Sequence, residues 1–312
     1  MTRQDREGAV AAPSGARASG PAPSGRTAFL LFGHKLFPRF AAQIESARRE
    51  LAGRADVHVL GFFDDPSLAP EPFLSDPSFH AYGPERLLAL GYPLKGAASP
   101  FALMPGNGDM AFVAFSRDHP QYDTIWLFEY DAVFTGPLTE ILDAFAGSSS
   151  DLIGTNFCRP KKNWPHLNTS AVPEGWPEPT ADPLRAFFPV FRASRGFLDE
   201  MHRFYLAGGS GHYELTWPYV AKARGLPFED MGGSGPYVKP GNRNRFYTSS
   251  PIATHLYPGT FRYRPPMGRP GWRRSTLYHP VKETPDPLGR AVFQRLRYLA
   301  RWRWLLTDPD RI

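Results

Sequence analysis

Short runs of apolar residues alternate with helical spacing in the first half of the chain. The runs TAFLLF (27–32) and DVHVLGFF (56–63) predict two buried strands. The apolar positions between them are three and four residues apart, which predicts a helix over 38–51. These positions are Phe37, Phe40, Ile44, Ala47 and Leu51. A strand–helix–strand unit of this kind predicts parallel strands joined by a right-handed crossover.

The rest of the chain continues with helices and strands of ordinary length. A proline-rich stretch over 64–84 predicts a loop, and an irregular segment occupies 158–183. The spacing predicts helices over 85–90, 107–117, 137–145, 195–206 and 212–223, and strands over 123–128, 151–157 and 187–194. Short strands are predicted at 227–233 and around Ile252, Phe261 and Leu277. We therefore predict an α/β first half and a mixed α+β second half.

Composition indicates a globular protein and leaves its partners open. The chain has 312 residues, 42% of them hydrophobic and 21% charged, and a net charge of +6. The positive charge suits an anionic ligand, an acidic membrane surface or nucleic acid. Cys158 is the one cysteine, so no disulfide can form within the chain. This favours a cytoplasmic protein, with peripheral attachment to the inner face of a membrane as an open alternative.

The two ends of the chain differ from the middle. Residues 1–26 are rich in Ala, Gly, Pro and Ser and lack the apolar block of a signal peptide, which predicts a disordered tail. Residues 288–306 combine five arginines with an apolar stripe at helical spacing. This pattern predicts a basic amphipathic helix that lies on an anionic membrane or packs on the domain. The stripe consists of Val292, Leu296, Leu299, Trp302 and Leu306.

Two carboxylates follow the buried strand over 123–128. Glu129 and Asp131 are separated by one residue and precede the turn VFTG. Parallel α/β sheets bind ligands beyond the carboxyl ends of their strands, which is where this pair falls. Two close carboxylates repel each other, and a hard divalent ion such as Mn²⁺ or Mg²⁺ relieves that repulsion. The alternative is an acidic pair that is solvated or paired with arginine.

The residues around this pair resemble a known superfamily. The stretch DHPQYDTIWLFEYDAVFTGPL (118–138) resembles the acidic-x-acidic region of GT-A-fold glycosyltransferases, and NGDMAFVAFSRDHP (107–120) matches the helix upstream of it. The likeness in element order covers most of 27–282, although the second half matches loosely. The first carboxylate of the family motif is usually Asp, so Glu129 departs from the pattern: it keeps oxygen ligation but would place the metal differently.

The resemblance implies a fold and a function. It implies a single GT-A-like (Rossmann-like) α/β domain over 27–285, with a mixed sheet flanked by helices, the tail 1–26 before it and the basic helix 286–312 after it. The implied activity is transfer of a sugar from a nucleotide-diphosphate donor to an unknown glycan, lipid-linked or small-molecule hydroxyl acceptor. Nucleic acid is not an expected partner, because no nucleic-acid motif is present.

The resemblance also implies roles for residues outside the acidic pair. In LYHPVK (277–282), His279 completes the metal shell and Lys282 holds the diphosphate. The loop with Gly33 and Lys35 meets the nucleotide, and Asp109 approaches the nucleoside or sugar. Each has a structural alternative: a histidine bonded to a backbone carbonyl, a solvated lysine, or a helix-terminal charge.

The acceptor side is the least determined part of the predicted site. An inverting transfer needs a carboxylate base, for which Glu214 is the first candidate and Asp230 the second. Glu214 is equally explained as a favourable charge at a helix N-terminus. Trp217 is a candidate for stacking on a sugar, and core packing is its alternative.

Two other functions stay open. A phosphatase of the haloacid-dehalogenase type also has two acids after an apolar strand, although Glu129 occupies the position of its Asp nucleophile. A catalytically inactive GT-A relative would bind sugar or nucleotide without transfer.

Overall fold

The fold is built from nine strands and seven helices within the described residues. The computed structural model describes residues 25–96, 106–162, 164, 166–168, 170–178, 182–248, 259–263 and 266–283. The strands are β1 (Arg26–Phe32), β2 (Asp56–Phe62), β3 (Phe79–Tyr82), β4 (Tyr122–Glu129), β5 (Val133–Phe134), β6 (Leu152–Cys158), β7 (Arg185–Ser194), β8 (Phe228–Asp230) and β9 (Leu277–Tyr278). The helices are α1 (Pro38–Glu50), α2 (Glu71–Ser75), α3 (Pro84–Leu88), α4 (Asp109–Asp118), α5 (Leu138–Ala146), α6 (Arg195–Leu206) and α7 (Tyr213–Ala223).

Seven of these strands form one mixed sheet in the order β3-β2-β1-β4-β7-β6-β8. The four strands from β3 to β4 are parallel, β7 is antiparallel to both of its neighbours, and β8 is parallel to β6. The short strands β5 and β9 pair with each other as a separate antiparallel ribbon. The predicted single-domain α/β fold, a mixed sheet flanked by helices, is confirmed.

The central strands are apolar throughout because both faces of the sheet are covered. In β1, the consecutive residues Phe29 and Leu30 are both fully buried but belong to different core clusters. Leu30 packs in the cluster that includes α4, α6 and α7, whereas Phe29 packs in the one that includes α1 and α5. Alternating side chains along the strand therefore contribute to both cores. Because β1 and β4 are parallel, their carboxyl ends lie at the same edge of the sheet.

Several predicted elements differ from the structure. The stretch over 64–84, predicted as a loop, contains α2 and β3; β3 is a half-buried edge strand of four residues, too short to show alternation. Helix α7 begins at Tyr213, with His212 as its N-cap. The tail 1–26 lies outside the described residues except for its last two. The predicted strand near Ile252 and the C-terminal helix also lie outside them. Among the helices of the described part, none is long and apolar enough to cross a bilayer.

Candidate metal and diphosphate site

The acidic pair lies where β4 leaves the sheet. The Tyr130 amide donates to the Phe32 carbonyl (2.8 Å), which extends the pairing of β4 with β1, and the Ala132 amide then donates to the Glu129 carbonyl (2.9 Å) to form a tight turn. The Val281 amide donates to the Asp131 carbonyl (2.8 Å), just after the β5–β9 pairing. This ribbon carries the LYHPVK segment to the acidic pair, although about 150 residues separate them in sequence.

The side chains of Glu129, Asp131 and His279 form a cluster that could hold a cation. One ligand atom from each lies within 4.8 Å of the others. His279 Nε2 is 3.4 Å from Asp131 Oδ1 and 3.8 Å from Glu129 Oε2. His279 Nδ1 is 2.7 Å from the Arg262 carbonyl, which accepts a hydrogen bond and therefore requires the proton on Nδ1. With Nδ1 occupied in this way, Nε2 is the ring nitrogen that faces the carboxylates and that a metal ion would take as its ligand.

The same cluster contains a buried oxygen without a donor. Asp131 is 4% exposed, and its Oδ1 has no hydrogen-bond partner. A buried carboxylate oxygen without a donor is costly, and a bound cation would remove that cost. Two carboxylates and one imidazole suit Mn²⁺ or Mg²⁺ when phosphate oxygens and water complete the shell.

The two carboxylates differ in their titration. Burial raises the pKa of Glu129 well above its ordinary value, and the charges of Asp131 and Glu214 add to that effect. Burial also acts to raise the pKa of Asp131, but His279 and Lys282 outweigh it, and the net shift is downward. Asp131 is thus the anionic anchor of the cluster, and ionisation of Glu129 depends on added positive charge.

Lys282 stands at the mouth of the cluster. Its Nζ lies 3.3 Å from Asp131 Oδ2 and donates to the Tyr130 hydroxyl at 3.1 Å. Burial alone lowers the pKa of Lys282, but Tyr130 and Asp131 outweigh it and raise the pKa. Its side chain is 42% exposed, so a fixed ammonium charge is available to an anionic ligand.

The loop between β1 and α1 borders this mouth. The His34 ring contacts the Tyr130 ring edge-on, with centroids 5.4 Å apart. A Cβ on Gly33 would come within 2.7 Å of the Phe40 ring and 3.1 Å of the Tyr130 Cβ, so a side chain does not fit there. Lys35 is exposed next to it. The structure therefore brings the predicted nucleotide loop alongside the acidic pair.

Glu214 lies in the first turn of α7, and its charge acts on the cluster. Its charge contributes to the raised pKa of Glu129. Burial raises the pKa of Glu214 to about 7, while Arg185, whose Nη1 lies 3.8 Å from Oε2, acts to lower it. A carboxylate with a pKa near neutrality is suited to accept a proton at physiological pH.

Arg185 and a small aromatic group beside it had no predicted role. The Arg185 guanidinium lies 5.3 Å from the centroid of the Trp164 ring. His166 stacks on His212 with centroids 4.2 Å apart, and His212 Nδ1 accepts from the Glu214 amide at 3.3 Å. The one sequence signal for this group was the tryptophan- and proline-rich character of 158–183.

Asp109 and Trp217 lie in the core, which corrects their prediction as ligand contacts. Both have 0% exposure. Asp109 Oδ2 accepts from Trp217 Nε1 at 3.1 Å and from the Tyr205 hydroxyl, and its Oδ1 is 3.0 Å from Lys95 Nζ. Both polar groups are committed to each other, so neither presents a surface to a nucleotide or a sugar.

Asp230 is also unsuited to the catalytic role considered for it. It is 1% exposed and ends strand β8. Its carboxylate accepts hydrogen bonds from the Phe157 amide (3.0 Å), the Gly232 amide (3.1 Å) and the Tyr247 hydroxyl (2.6 Å). These bonds occupy both oxygens and join three chain segments, so Asp230 is a structural residue.

Fold and site together define an α/β domain with a candidate divalent-cation site at the carboxyl edge of its sheet. The chain matches no family model and no curated protein. Solved structures similar to it include glucosyl-3-phosphoglycerate synthase from Mycobacterium tuberculosis with Mg²⁺ and uridine diphosphate (13% identity, 56% of this chain and 58% of that one, TM-score 0.32). Another is mannosyl-3-phosphoglycerate synthase from Rubrobacter xylanophilus (13%, 59% and 64%, TM-score 0.31). A third is the galactosyltransferase LgtC with donor and acceptor sugar analogues (10%, 64% and 65%, TM-score 0.29).

These neighbours are glycosyltransferases, the class that the sequence resembles. The chain spans less than two thirds of the length of each of them.

Proposed function

We propose that the chain is a metal-dependent glycosyltransferase that moves a sugar from a nucleotide-diphosphate donor to a hydroxyl acceptor. The observation that carries this proposal is the cluster of Glu129, Asp131 and His279 at the carboxyl edge of the sheet, with Lys282 beside it. A divalent ion there would neutralise the charge of the departing diphosphate, which is the main electrostatic demand of the reaction.

The protein's own residues would bind and orient the donor. Asp131, His279 and Glu129 would hold Mn²⁺ or Mg²⁺, and the hydrogen bond from His279 Nδ1 to the Arg262 carbonyl keeps the ring in its ligating orientation. Lys282, fixed by Tyr130 and Asp131, would contact the diphosphate directly. Gly33 lets the β1–α1 loop pack closely against Tyr130, which would place Lys35 near the nucleotide.

Glu214 would serve as the base for the acceptor hydroxyl. It is 13% exposed, its pKa is about 7, and it is near enough to Glu129 to affect its ionisation. Its carboxylate would take the hydroxyl proton as the oxygen attacks the sugar. Arg185 would stabilise the charged form of Glu214 before that proton is transferred. The rings of Trp164 and His166 adjoin this pair and would offer a face to the acceptor.

The setting of the reaction follows from the same chemistry. We propose a cytoplasmic enzyme, where nucleotide-sugar donors are available, with a glycan, lipid-linked or small-molecule acceptor. Attachment through the basic helix predicted from the sequence over 288–306 would bring it to lipid-linked acceptors at the inner face of the membrane.

Calorimetry with nucleoside diphosphates tests the donor site. We expect one or more of UDP, GDP, ADP and TDP to bind in the presence of Mn²⁺ and to bind weakly with chelator. Asp131→Asn should abolish the Mn²⁺-dependent part without loss of fold. The matched control is Asp123→Asn, which changes an exposed acid of the same strand far from its carboxyl end. Undiminished Mn²⁺-dependent binding by folded Asp131→Asn would refute the metal site.

Turnover separates transfer from the other functions. Release of nucleoside diphosphate from a nucleotide-sugar, dependent on Mn²⁺ and lost in Asp131→Asn, supports the enzyme. Binding without any turnover across donors and acceptors would indicate the inactive relative. Hydrolysis of p-nitrophenyl phosphate would indicate the phosphatase, although the Thr135 hydroxyl is already committed to the carbonyls of Arg273 (2.6 Å) and Thr276 (3.1 Å).

A further inference from the structure

A second feature of the molecule lies in the loop that leads into β9. In the loop GRPGWRRS (268–275), Trp272 is 93% exposed, more than any other large hydrophobic side chain in the described part of the chain. Arg269, Arg273 and Arg274 are exposed around it. An indole of this size left in water forgoes substantial hydrophobic stabilisation, so its exposure needs a reason.

The exposure of Trp272 does not come from a loosely held backbone. Arg39 Nη2 donates to the Gly268 carbonyl (2.7 Å), and Thr135 Oγ1 donates to the Arg273 carbonyl (2.6 Å). The Arg273 amide donates to the Tyr278 hydroxyl at 3.2 Å. A Cβ on Gly271 would lie 2.7 Å from the Tyr278 ring, so the backbone on one side of Trp272 packs against the domain. The loop is fixed on both sides and holds its tryptophan outward.

The charged residues of the loop itself are all basic, and at its C-terminal end the Ser275 hydroxyl donates to Glu140 (2.6 Å). No acidic residue occurs between Gly268 and Lys282 in the sequence. Within the described residues, the three guanidinium groups of Arg269, Arg273 and Arg274 form no ion pair. Three unpaired cations around one protruding indole form a surface that is complementary to an anionic, partly apolar partner.

We propose that the loop over 268–275 docks on an anionic lipid surface, with Trp272 in the interface and the three arginines on headgroup phosphates. Tryptophan prefers the boundary between headgroups and acyl chains, and basic side chains near an anionic leaflet add electrostatic attraction. This loop shares no residue with the predicted C-terminal helix, and its docking does not depend on the proposed transfer reaction.

Two other occupants fit the surface less well. A single-stranded nucleic acid is bound by several aromatic side chains along a groove, whereas this loop offers one protruding ring. The segment 288–306 carries five arginines and no acid, so its charge would repel the loop. A lipid surface satisfies both the indole and the arginines.

Docking would also place the candidate site close to the bilayer. His279 follows Trp272 by seven residues, so the chain between them spans at most about 25 Å. A lipid-linked acceptor would then be within reach of the site, which rests on the proposed function.

Vesicle binding by the full chain tests the proposal. We expect sedimentation with phosphatidylcholine vesicles containing about 30% phosphatidylglycerol and much weaker binding to pure phosphatidylcholine. Affinity should be lost at about 0.5 M salt, where the Debye length falls to about 4 Å from about 8 Å at physiological ionic strength. Trp272→Ala and the double variant Arg273→Gln with Arg274→Gln should each weaken binding about tenfold or more. The matched controls are Leu68→Ala, another exposed apolar residue, and Arg243→Gln with Arg245→Gln, an exposed arginine pair.

A second readout identifies the residue in contact with lipid. Vesicles with brominated acyl chains should quench the fluorescence of the wild-type protein, and Trp272→Phe should lose most of that quenching. Equal quenching in Trp272→Phe would overturn the proposal even if vesicles bind, because another segment would then make the contact. Absence of vesicle binding, or tighter binding to a single-stranded oligonucleotide that Trp272→Ala removes, would also overturn it. Mn²⁺-dependent nucleotide binding should be unchanged in these variants, so failure here leaves the proposed function untouched.

Discussion

The buried ion pair between Lys95 and Asp109 gives the sharpest test of the structure against the sequence. Neither side chain is exposed, and Lys95 Nζ lies 3.0 Å from Asp109 Oδ1. The ammonium also donates to the carbonyls of Gly106 (3.2 Å) and Gly211 (2.7 Å). Asp109→Asn keeps the shape of the side chain but removes the carboxylate charge that pairs with this lysine within the described residues.

The expected cost follows from leaving a charge buried without its partner. Removing one member of a buried ion pair typically costs about 3–5 kcal/mol. The two carbonyls that remain can hold an ammonium, so we expect the lower part of this range, about 3 kcal/mol. Because domains of this kind unfold with about 5–15 kcal/mol, the variant should lose a large share of its stability.

The defect should also depend on pH. Burial lowers the pKa of Lys95 below 10.5, and Asp109 opposes that shift, so removing Asp109 lowers the pKa further. The unfolded variant then binds more protons than the folded one, and its stability rises with pH until the unfolded lysine also loses its proton near 10.5. The difference between variant and wild type should therefore be smaller at high pH than at neutral pH.

Urea unfolding followed by tryptophan fluorescence measures this difference at pH 7 and pH 9. The control is Asp182→Asn, which removes the carboxylate of an ion pair with Lys222 whose acid is 75% exposed and which we expect to change little. Lys95→Met combined with Asp109→Asn should recover part of the loss, since no unpaired charge remains. If Asp109→Asn has wild-type stability and instead loses nucleotide binding, the structural role is wrong and the ligand role predicted from sequence is right.

Four further predictions concern the candidate site. His279→Ala should lower the affinity for both Mn²⁺ and the nucleoside diphosphate, whereas Lys282→Ala should lower only the affinity for the diphosphate. Calorimetry with each ligand alone and with both together distinguishes the two variants. Equal Mn²⁺ affinity in His279→Ala and wild type would contradict the role of His279 as a metal ligand. Glu214→Gln should keep donor binding and lose transfer. In the wild-type enzyme the transfer rate should rise with pH with an apparent pKa of about 7. Arg185→Met should move that profile to higher pH, because Arg185 lowers the pKa of Glu214, and an unshifted profile would rule Glu214 out as the titrating base. Gly33→Ala should weaken nucleotide binding and cost about 1–3 kcal/mol of stability through its contact with Phe40 and Tyr130. Calorimetry and urea unfolding measure both effects against Gly147→Ala, where an added Cβ meets nothing within 4 Å and φ is −86°.

The sequence by itself determined the elements whose signal is local. The consecutive apolar runs of β1 and β4 predicted strands covered on both faces, and the helix over 195–206 was predicted with the bounds that α6 has. The position of Glu129 and Asp131 at the end of β4 was also readable, because a strand's carboxyl end is fixed by the strand itself. Short elements such as β3 and β5 were missed, since two to four residues are too few to show a period.

Tertiary structure decided which distant residues meet. His279 reaches Asp131 because β9 pairs with β5 directly after the acidic turn. This pairing involves two residues of each strand, which is too few for a sequence pattern to predict. Arg185 reaches Glu214 because β7 runs antiparallel within the sheet and α7 packs on it. Both encounters depend on strand order, which long-range packing sets.

Tertiary structure also decided which face of α7 points inward. Glu214 and Trp217 lie three residues apart in a helix where every residue from Leu215 to Ala221 is buried. The apolar pattern is nearly continuous there, so it does not show which side faces the core. The sheet settles it by placing Trp217 among the core aromatics, where its Nε1 donates to Asp109, and leaving Glu214 partly exposed beside Arg185, because burying an indole with a hydrogen-bond partner is favourable.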